Sequence, residues 1–171
     1  MNRQHTREEY IELVDNIKRI IPECAISQDM ITGFCGETEE DHQDTLSLMD
    51  YVKYNFGYMY SYSERPGTLA GRKMEDDVAE ETKLRRLQEI VDLQRIHSGI
   101  RTKEFVGKTV EVLVEKVSKK SDKDLSGRNS QSFMVVFPRE HYKIGDFVNV
   151  KITNCTSGTL IGEAISYSEM N

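Results

Sequence analysis

The sequence predicts an α/β region followed by a small antiparallel β-barrel, and three observations support this division. Helical and strand patterns alternate over the first 103 residues. From about residue 107 onward, only short strand patterns remain. The charge balance changes at the same place, because the first 104 residues carry 14 Lys and Arg against 21 Asp and Glu, whereas the remainder carries 9 against 8. We therefore predict two domains, 1–103 and 104–171.

The composition excludes several classes of protein. The chain has 171 residues, of which 37% are hydrophobic and 30% charged, so it can build a core. No apolar run is long enough to span a membrane, and no secretory signal opens the sequence. The three cysteines, Cys24, Cys35 and Cys155, have neither metal-site spacing nor the even number of a disulfide framework. We expect a cytoplasmic protein that does not bind membranes.

The first predicted element is a helix. Residues 6–9, "TREE", form a capping box, in which a Thr hydroxyl and a Glu carboxylate satisfy free amides at a helix start. Apolar residues follow at three- and four-residue spacing as far as Ile21, and Pro22 ends the pattern. The segment 24–34 then reads as a short strand ending in the glycine-punctuated turn "GFCGET".

A second helix, a second strand and a third helix complete the α/β region. The second helix is predicted over 38–53, with acidic residues in its first turn, where the helix dipole favours them. Aromatic residues occupy every second position over 54–62, which indicates a strand, and we expect most of those over 54–60 to lie in the core. A loop over 63–72 leads to a long helix over 76–101. Such alternation implies parallel strands with helical crossovers.

The predicted barrel has four or five strands. Alternating or apolar segments over 108–117, 132–137, 147–153 and 159–165 each read as a strand. The polar segment over 118–131 reads as a loop. The first region poses a problem, because parallel strands are normally covered on both faces and two strands with three helices cannot achieve this. We therefore expect it to be part of a larger α/β domain.

Four motifs in register carry a resemblance to a known family. They are "MNRQHTREEY", "DMITGFCGETEEDHQDTL", "YMYSYSERPGT" and "GKTVEVLVEKVSKK…LSGR". On these the chain resembles, from Met1 to about Tyr167, the C-terminal part of the radical-SAM methylthiotransferases. "YSERPGT" is similar to the branch that modifies tRNA, whereas the branch that modifies an aspartate of a ribosomal protein has Glu-Glu-Gly-Thr after Tyr-Ser. The family pattern in the first turn is Gly-Phe-Pro-Gly-Glu-Thr, and Cys35 replaces the proline here as a turn variant.

The resemblance implies a fold and a reaction. The implied fold is the C-terminal part of a radical-SAM partial (β/α) barrel, followed by a TRAM domain, an RNA-binding β-barrel. The implied reaction is the transfer of a methylthio group to carbon 2 of N6-isopentenyladenosine beside the tRNA anticodon. The full-length family uses S-adenosylmethionine and two [4Fe–4S] clusters. The implied partner is the anticodon loop of tRNA.

One departure from the family qualifies the expected activity. No Cys-x3-Cys-x2-Cys motif is present, and the three cysteines have the wrong spacing to replace it. We therefore expect this chain to lack the cluster-binding part, to bind no cofactor alone and to be inactive alone. Two alternatives stay open: an RNA-binding module without catalysis, and a methylthiotransferase acting on a ribosomal protein. The missing strands would leave a sheet edge exposed, which predicts self-association.

Two groups of residues are candidates for the cofactor and substrate sites. Glycines in "GFCGET" let backbone approach a ligand, although the residues alone favour a tight strand–helix turn without a ligand. The family resemblance favours contact of this turn with S-adenosylmethionine. After the next strand, a Tyr could stack on a tRNA base, and an Arg could bind a tRNA phosphate, stack on a base or form a salt bridge with Glu64. The predicted cofactor residues are Gly33, Phe34 and Glu37. The predicted substrate residues are Tyr62, Ser63 and Arg65.

A third group lies in the predicted barrel. Small barrels of this kind bind RNA through loops and one face, and lysines in the long polar loop suit phosphate contacts. The predicted RNA-binding residues are Lys119, Lys120, Lys123 and Arg128. Phe133, Phe137 and Tyr142 are potential stacking residues whose pattern favours the core. The four histidines are scattered, and we assign them no metal or general-base role.

Overall fold

The computed structural model describes residues 4–168, which divide into two compact units between His97 and Ser98. The first unit is α/β and the second is a barrel. No helix within the described residues is both long and apolar enough to cross a membrane. The elements are α1 (Arg7–Ile20), β1 (Ser27–Thr32), α2 (Glu39–Val52), β2 (Phe56–Ser61), α3 (Leu69–Lys73), α4 (Glu80–Lys103), β3 (Thr109–Val117), β4 (Asp124–Asn129), β5 (Met134–Pro138), β6 (Phe147–Cys155) and β7 (Leu160–Tyr167).

The predicted alternation of helices and parallel strands in the α/β unit is confirmed. β1 and β2 pair in parallel, in register from Ser27 opposite Phe56 to Thr32 opposite Ser61. Both α1 and α2 begin with a capping box in which a threonine, Thr6 or Thr38, accepts a hydrogen bond from the third helical amide. These caps satisfy amides that have no partner inside the helix, and they fix where each helix starts.

The core of the α/β unit lies on one face of this two-stranded sheet. Its buried residues come from three helices and from the segment just before the second strand. They are Val14, Met49, Val52, Tyr54 and Ile90, with Met30 and Met59 packed against them.

The prediction that the aromatic residues over 54–60 lie mostly in the core is wrong for two of them. Tyr58 is 61% exposed and Tyr60 57% exposed, while Met59 between them packs on the core. Successive side chains of a strand point to opposite faces. The helices cover the face that carries Met59, so the tyrosine face is left open within this unit.

The long helix α4 buries a mostly polar stripe. Leu84, although apolar, is exposed. The buried positions recur at three- and four-residue spacing, as expected for one helix face. They are Lys83, Arg86, Ile90, Gln94 and His97. Burial of polar groups requires partners, and α4 finds them on β1, on α2 and in the loops beside it.

The second unit is a closed barrel with strand order β3-β4-β5-β7-β6. The prediction of a small barrel is confirmed, with two differences. β4 lies within the segment predicted as a loop, and β5 pairs with β7 in parallel while the other pairs are antiparallel. β4 has the sequence "DLSGRN", which lacks the β-branched and aromatic residues typical of strands. Its pairing with β3 and β5 imposes the strand. A Cβ at Gly127 would overlap the Leu113 carbonyl, so this close approach requires glycine.

A second short element was also predicted as loop. α3 falls within the segment 63–72 and is capped by the Thr68 hydroxyl, which accepts from the Gly71 amide. Five residues are too few to form a helix from intrinsic preference alone, and no apolar periodicity announces the element.

Candidate functional site

The ends of the two parallel strands bring the predicted cofactor and substrate segments together. β1 runs into the turn 33–38 and β2 into the loop 62–68, and the two strands end opposite each other. The Tyr62 amide donates to the Thr32 carbonyl at 2.8 Å, which extends the pairing by one residue. Ligand sites of open parallel sheets lie at the carboxyl ends of the strands, so this edge is the candidate site.

A cleft of about 480 Å³ opens at this edge. Phe34 and Tyr62 contact each other in it, with ring centroids 5.0 Å apart and planes at 75°. Four of the six predicted cofactor and substrate residues line the cleft, and Gly33 and Glu37 do not. The lining residues are Ile31, Phe34, Tyr60, Ser61, Tyr62, Ser63, Arg65, Thr68 and Ala70.

Glu37 is engaged in holding the turn. Its carboxylate accepts from the Gly33 amide at 2.5 Å and from Arg86 Nη1 at 2.9 Å. The same Arg86 nitrogen donates to the Glu37 carbonyl at 3.0 Å. Arg86 is only 5% exposed, so the pair is shielded from solvent. The Glu37 side chain therefore links the first residue of the turn to α4.

Gly33 is required by its surroundings. Its φ is +69°, a backbone conformation that disfavours residues with a Cβ. A Cβ at this position would also overlap Cγ of Lys83. The structure thus explains this glycine by turn geometry and helix packing, which is the alternative that the sequence left open beside cofactor contact.

Lys83 is a buried cation behind the cleft that sequence reasoning missed. It is 4% exposed, its Nζ lies 2.6 Å from Asp76, and the same nitrogen lies 5.6 Å from the Tyr62 ring centroid. The hydrogen bond to Asp76 raises the pKa of Lys83. The pKa of Tyr62 is also raised, chiefly by a hydrogen bond between its hydroxyl and the Cys35 side chain. Its contacts with Lys83 and Cys35 hold the Tyr62 ring at the cleft wall.

The burial of Arg86 was also missed by sequence reasoning, although the spacing of polar residues along α4 indicates it. A charged residue on a long helix is normally solvated. Lys83, Arg86, Gln94 and His97 nevertheless share the spacing of one helix face with Ile90. A search for one helical face carrying only long polar residues around a single apolar one would have found them.

The described residues offer no ligands for a metal cluster. Within residues 4–168 there is no group of three His, Cys, Asp or Glu side chains able to hold a metal ion. Cys24, Cys35 and Cys155 are free thiols.

The barrel places the predicted RNA-binding residues at two ends. Lys119, Lys120 and Lys123 lie exposed in the loop between β3 and β4. Arg128 is at the far end of β4, about 13 Å along the strand from its start. It donates to the Ser132 carbonyl at 3.1 Å. The structure therefore groups the three lysines and separates the arginine from them.

The aromatic residues of the barrel that could have stacked on RNA are buried. Phe133 and Phe137 are 1% exposed and Tyr142 is 4% exposed. The prediction that they belong to the core is confirmed. Any ring that contacts a nucleotide from this unit must therefore be a different one.

The barrel matches a known domain family. Residues 103–165 match the model of the TRAM domain family. The class is thus a protein with a TRAM barrel preceded by an α/β region.

The whole chain is similar to proteins that share one name. The chain is 75% identical over 171 residues to the tRNA-2-methylthio-N(6)-dimethylallyladenosine synthase of Flavobacterium johnsoniae, and 67% identical over 171 residues to that of Christiangramia forsetii. It is 53% identical over 163 residues to that of Karelsulcia muelleri. The first two comparisons cover 100% of this chain and the third covers 95% of it. The predicted resemblance to this family is therefore confirmed along the chain.

The similarity covers one part of the relatives. The chain spans 36% of the length of each of these three proteins. This share agrees with the prediction that the sequence corresponds to a portion of the family's length.

Proposed function

We propose that this chain forms part of a cytoplasmic tRNA methylthiotransferase, in which the α/β unit contributes to the S-adenosylmethionine and substrate site and the barrel binds tRNA. The carrying observation is the cleft at the ends of β1 and β2, because it gathers Phe34, Tyr62, Ser63 and Arg65 in one place. The similar proteins are named as tRNA-modifying synthases, which supports the same assignment. The expected product is a methylthio group at carbon 2 of N6-isopentenyladenosine.

The cleft fits an adenosyl group in chemical terms. Phe34 and Tyr62 offer aromatic surface, and Ile31 and Ala70 add apolar wall, which together suit a flat heterocycle. The hydroxyl of Ser63 and the guanidinium of Arg65 are the polar groups at its margin, and Arg65 suits an RNA phosphate. Bound S-adenosylmethionine supplies the radical chemistry, and the protein supplies binding and shielding.

Gly33 and Glu37 take an indirect part in this proposal. Glu37 accepts hydrogen bonds from the Gly33 amide and the Arg86 guanidinium, so both residues keep Phe34 at the cleft although neither of them lines it. The described residues contain no ligand set for the [4Fe–4S] clusters of the family.

The test uses a full-length enzyme that contains this sequence. It is expressed in a bacterial strain unable to methylthiolate N6-isopentenyladenosine, and tRNA nucleosides are measured by mass spectrometry. The unaltered enzyme should restore the methylthio nucleoside, and Arg65→Ala should reduce it by about tenfold or more, since loss of a charged substrate contact costs more than 1 kcal/mol. Arg95→Ala is the control, because Arg95 is exposed on α4 away from the cleft lining.

Two results would contradict the proposal. Absence of the methylthio nucleoside from cells that contain the unaltered, folded enzyme would remove the tRNA reaction. A methylthio group on a ribosomal protein instead of tRNA would favour the alternative substrate.

A further inference from the structure

One end of the barrel combines two loops and the end of a strand. These are the β3–β4 loop over 118–123, the β5–β6 loop over 139–146, and the last residue of β7, and together we call them the basic end. The Arg139 amide donates to the Lys123 carbonyl at 2.8 Å, which ties the two loops together. Tyr167 pairs with Val148 at the start of β6, which places the end of β7 beside them.

The basic end carries exposed cations. Five lysine and arginine side chains lie there, all exposed, and within the described part of the chain none of them forms an ion pair within 4.0 Å. Three acidic side chains, Asp122, Glu140 and Asp146, lie on the same loops, so the cations exceed them by two. Asp146 accepts from the Lys143 amide at 2.8 Å, and Glu140 lies 4.0 Å from His141. The cations are Lys119, Lys120, Lys123, Arg139 and Lys143.

A series of rings in edge-on and tilted contact runs from the core to the surface at the same end. Phe137 and Tyr142 are buried, with centroids 6.2 Å apart. Tyr142 contacts His141 at 4.2 Å and Tyr167 at 5.0 Å, and these outer two rings lie 5.7 Å from each other. The outer rings are open to solvent, because the His141 side chain is 64% exposed and Tyr167 is 49% exposed.

We infer that His141 and Tyr167 form a stacking platform for an unpaired RNA base, with the neighbouring cations binding the flanking phosphates. The inference rests on the proposed tRNA-binding function of the barrel and adds the residues that would read an unpaired nucleotide. Exposed aromatic rings beside cations are the combination with which proteins bind single-stranded nucleic acid. A duplex keeps its bases stacked on each other and offers no free base face, so the platform selects unpaired RNA.

The support beneath the platform explains why these two rings can do this. A ring that must bind a base loses affinity if it first has to be ordered. Tyr142 is fixed in the barrel core and contacts both outer rings, so it holds them in place before RNA arrives. The platform lies beside Lys123 and Arg139, which are joined through the backbone. Base and phosphate contacts can therefore form at adjacent positions of one RNA strand.

The experiment measures RNA binding by this chain directly. The probe is a synthetic 17-nucleotide RNA hairpin that carries 2-aminopurine at one unpaired loop position, titrated at low and high salt. We expect the unaltered chain to quench the 2-aminopurine, and the double variant His141→Ala/Tyr167→Ala to lose this quenching and bind about tenfold more weakly. Tyr167→Phe keeps the ring and should retain both quenching and affinity.

Controls separate the platform from the charge. Ile161→Ala changes an exposed apolar residue on the same strand, about 20 Å from Tyr167, and should leave binding unchanged. Lys123→Ala should weaken binding and reduce its salt dependence while quenching at saturation persists. A blunt RNA duplex of equal charge should bind equally well to the unaltered chain and the double variant.

The outcomes distinguish this inference from the proposed function. If the double variant remains folded and binds the hairpin with unchanged affinity and quenching, the platform is overturned while salt-dependent RNA binding stands. If the unaltered chain binds no RNA even at low salt, the platform and the RNA-binding role of the barrel both fail. If the enzyme yields no methylthio nucleoside but the hairpin data are as expected, only the proposed reaction fails.

Discussion

At the scale of single residues, buried charge holds the candidate site in place. Glu37 bonds both to the Gly33 amide at the start of the turn and to Arg86 on α4. A buried ion pair contributes little net stability, but removal of one partner is costly because the other is left uncompensated. The turn that carries Phe34 is therefore anchored to a helix, and the backbone at Gly33 lies against the Lys83 side chain of that helix.

The two glycines of this turn allow a matched test of that close approach. Both have a positive φ, +69° at Gly33 and +76° at Gly36, but only a Cβ at Gly33 would overlap Lys83. Gly36→Ala should lower the free energy of unfolding by about 1 kcal/mol, the cost of the backbone conformation. Gly33→Ala should lower it by about 2 kcal/mol more, because packing is also disturbed. Urea unfolding measures both, and equal effects would show that Lys83 does not constrain the turn.

At the scale of elements, α4 is joined to its neighbours by polar contacts. Arg86 reaches the turn before α2, His97 lies 3.0 Å from Asp50 on α2, and Gln94 donates to the Tyr54 carbonyl at 2.9 Å. Hydrogen bonds are directional and require fixed distances. A helix held in this way has a defined rotation and register relative to α2 and β2, and its rotation positions Lys83 behind Tyr62.

The contact between α4 and the first turn of α2 should appear in the pH dependence of stability. The hydrogen bond from Arg85 holds the pKa of Glu39 at about 2, below its ordinary value of 4.5. A carboxylate whose pKa is lower in the folded state stabilises the fold above the unfolded pKa, and this contribution is lost as the pH falls through the folded pKa. The urea midpoint should therefore drop between pH 4.5 and 2, and Glu39→Gln should reduce that drop.

Glu12 provides the control for this measurement. It is exposed on α1, and the Glu12→Gln chain should show the same pH dependence of stability as the unaltered chain. A Glu39→Gln chain that loses stability between pH 4.5 and 2 as steeply as the unaltered one would contradict the role of the Arg85 contact. High salt should also weaken the effect, because the pair is exposed and screened.

At the scale of the whole molecule, the two units differ in how completely their sheets are paired. The barrel is closed, so none of its strands is left as a free edge. The α/β unit has a sheet of two parallel strands whose core lies on one face. Parallel sheets are normally covered on both faces, and here Tyr58 and Tyr60 stand exposed on the other face. Such apolar surface favours association.

The exposed tyrosines make self-association testable. We expect the sedimentation coefficient of this chain to rise with protein concentration, and Tyr58→Ser/Tyr60→Ser to reduce that rise, because the pair supplies the apolar surface. Tyr51→Ser is the control, since Tyr51 is also exposed but donates a hydrogen bond to Asp15 on α1. A clean monomer at high concentration, or equal association of both variants, would contradict this prediction.

Local patterns predicted the elements whose signals are local. The capping box at Thr6 and the acidic first turn after Thr38 located two helix starts, and the alternation over 54–62 located β2. β4 and α3 escaped because neither has the composition or periodicity of its element, and both are stabilised by neighbours distant in sequence or by a single cap. For the candidate site, the sequence named Phe34, Tyr62, Ser63 and Arg65 as candidates, and the structure shows that all four line one cleft. The burial of Lys83 and Arg86 could not be read from their residue types.

The sequence by itself predicted the alternation of helices and parallel strands, the change to a small barrel and the family resemblance, because these follow from periodicity, caps and ordered motifs. Only the tertiary structure decided which face of each element is buried. It turned Tyr58 and Tyr60 outward, turned the polar face of α4 inward and turned Glu37 toward Arg86. It also moved Arg128 away from the lysines and brought Tyr167 to His141. The physical reason is that burial and pairing depend on contacts between residues far apart in the chain, which no local pattern records.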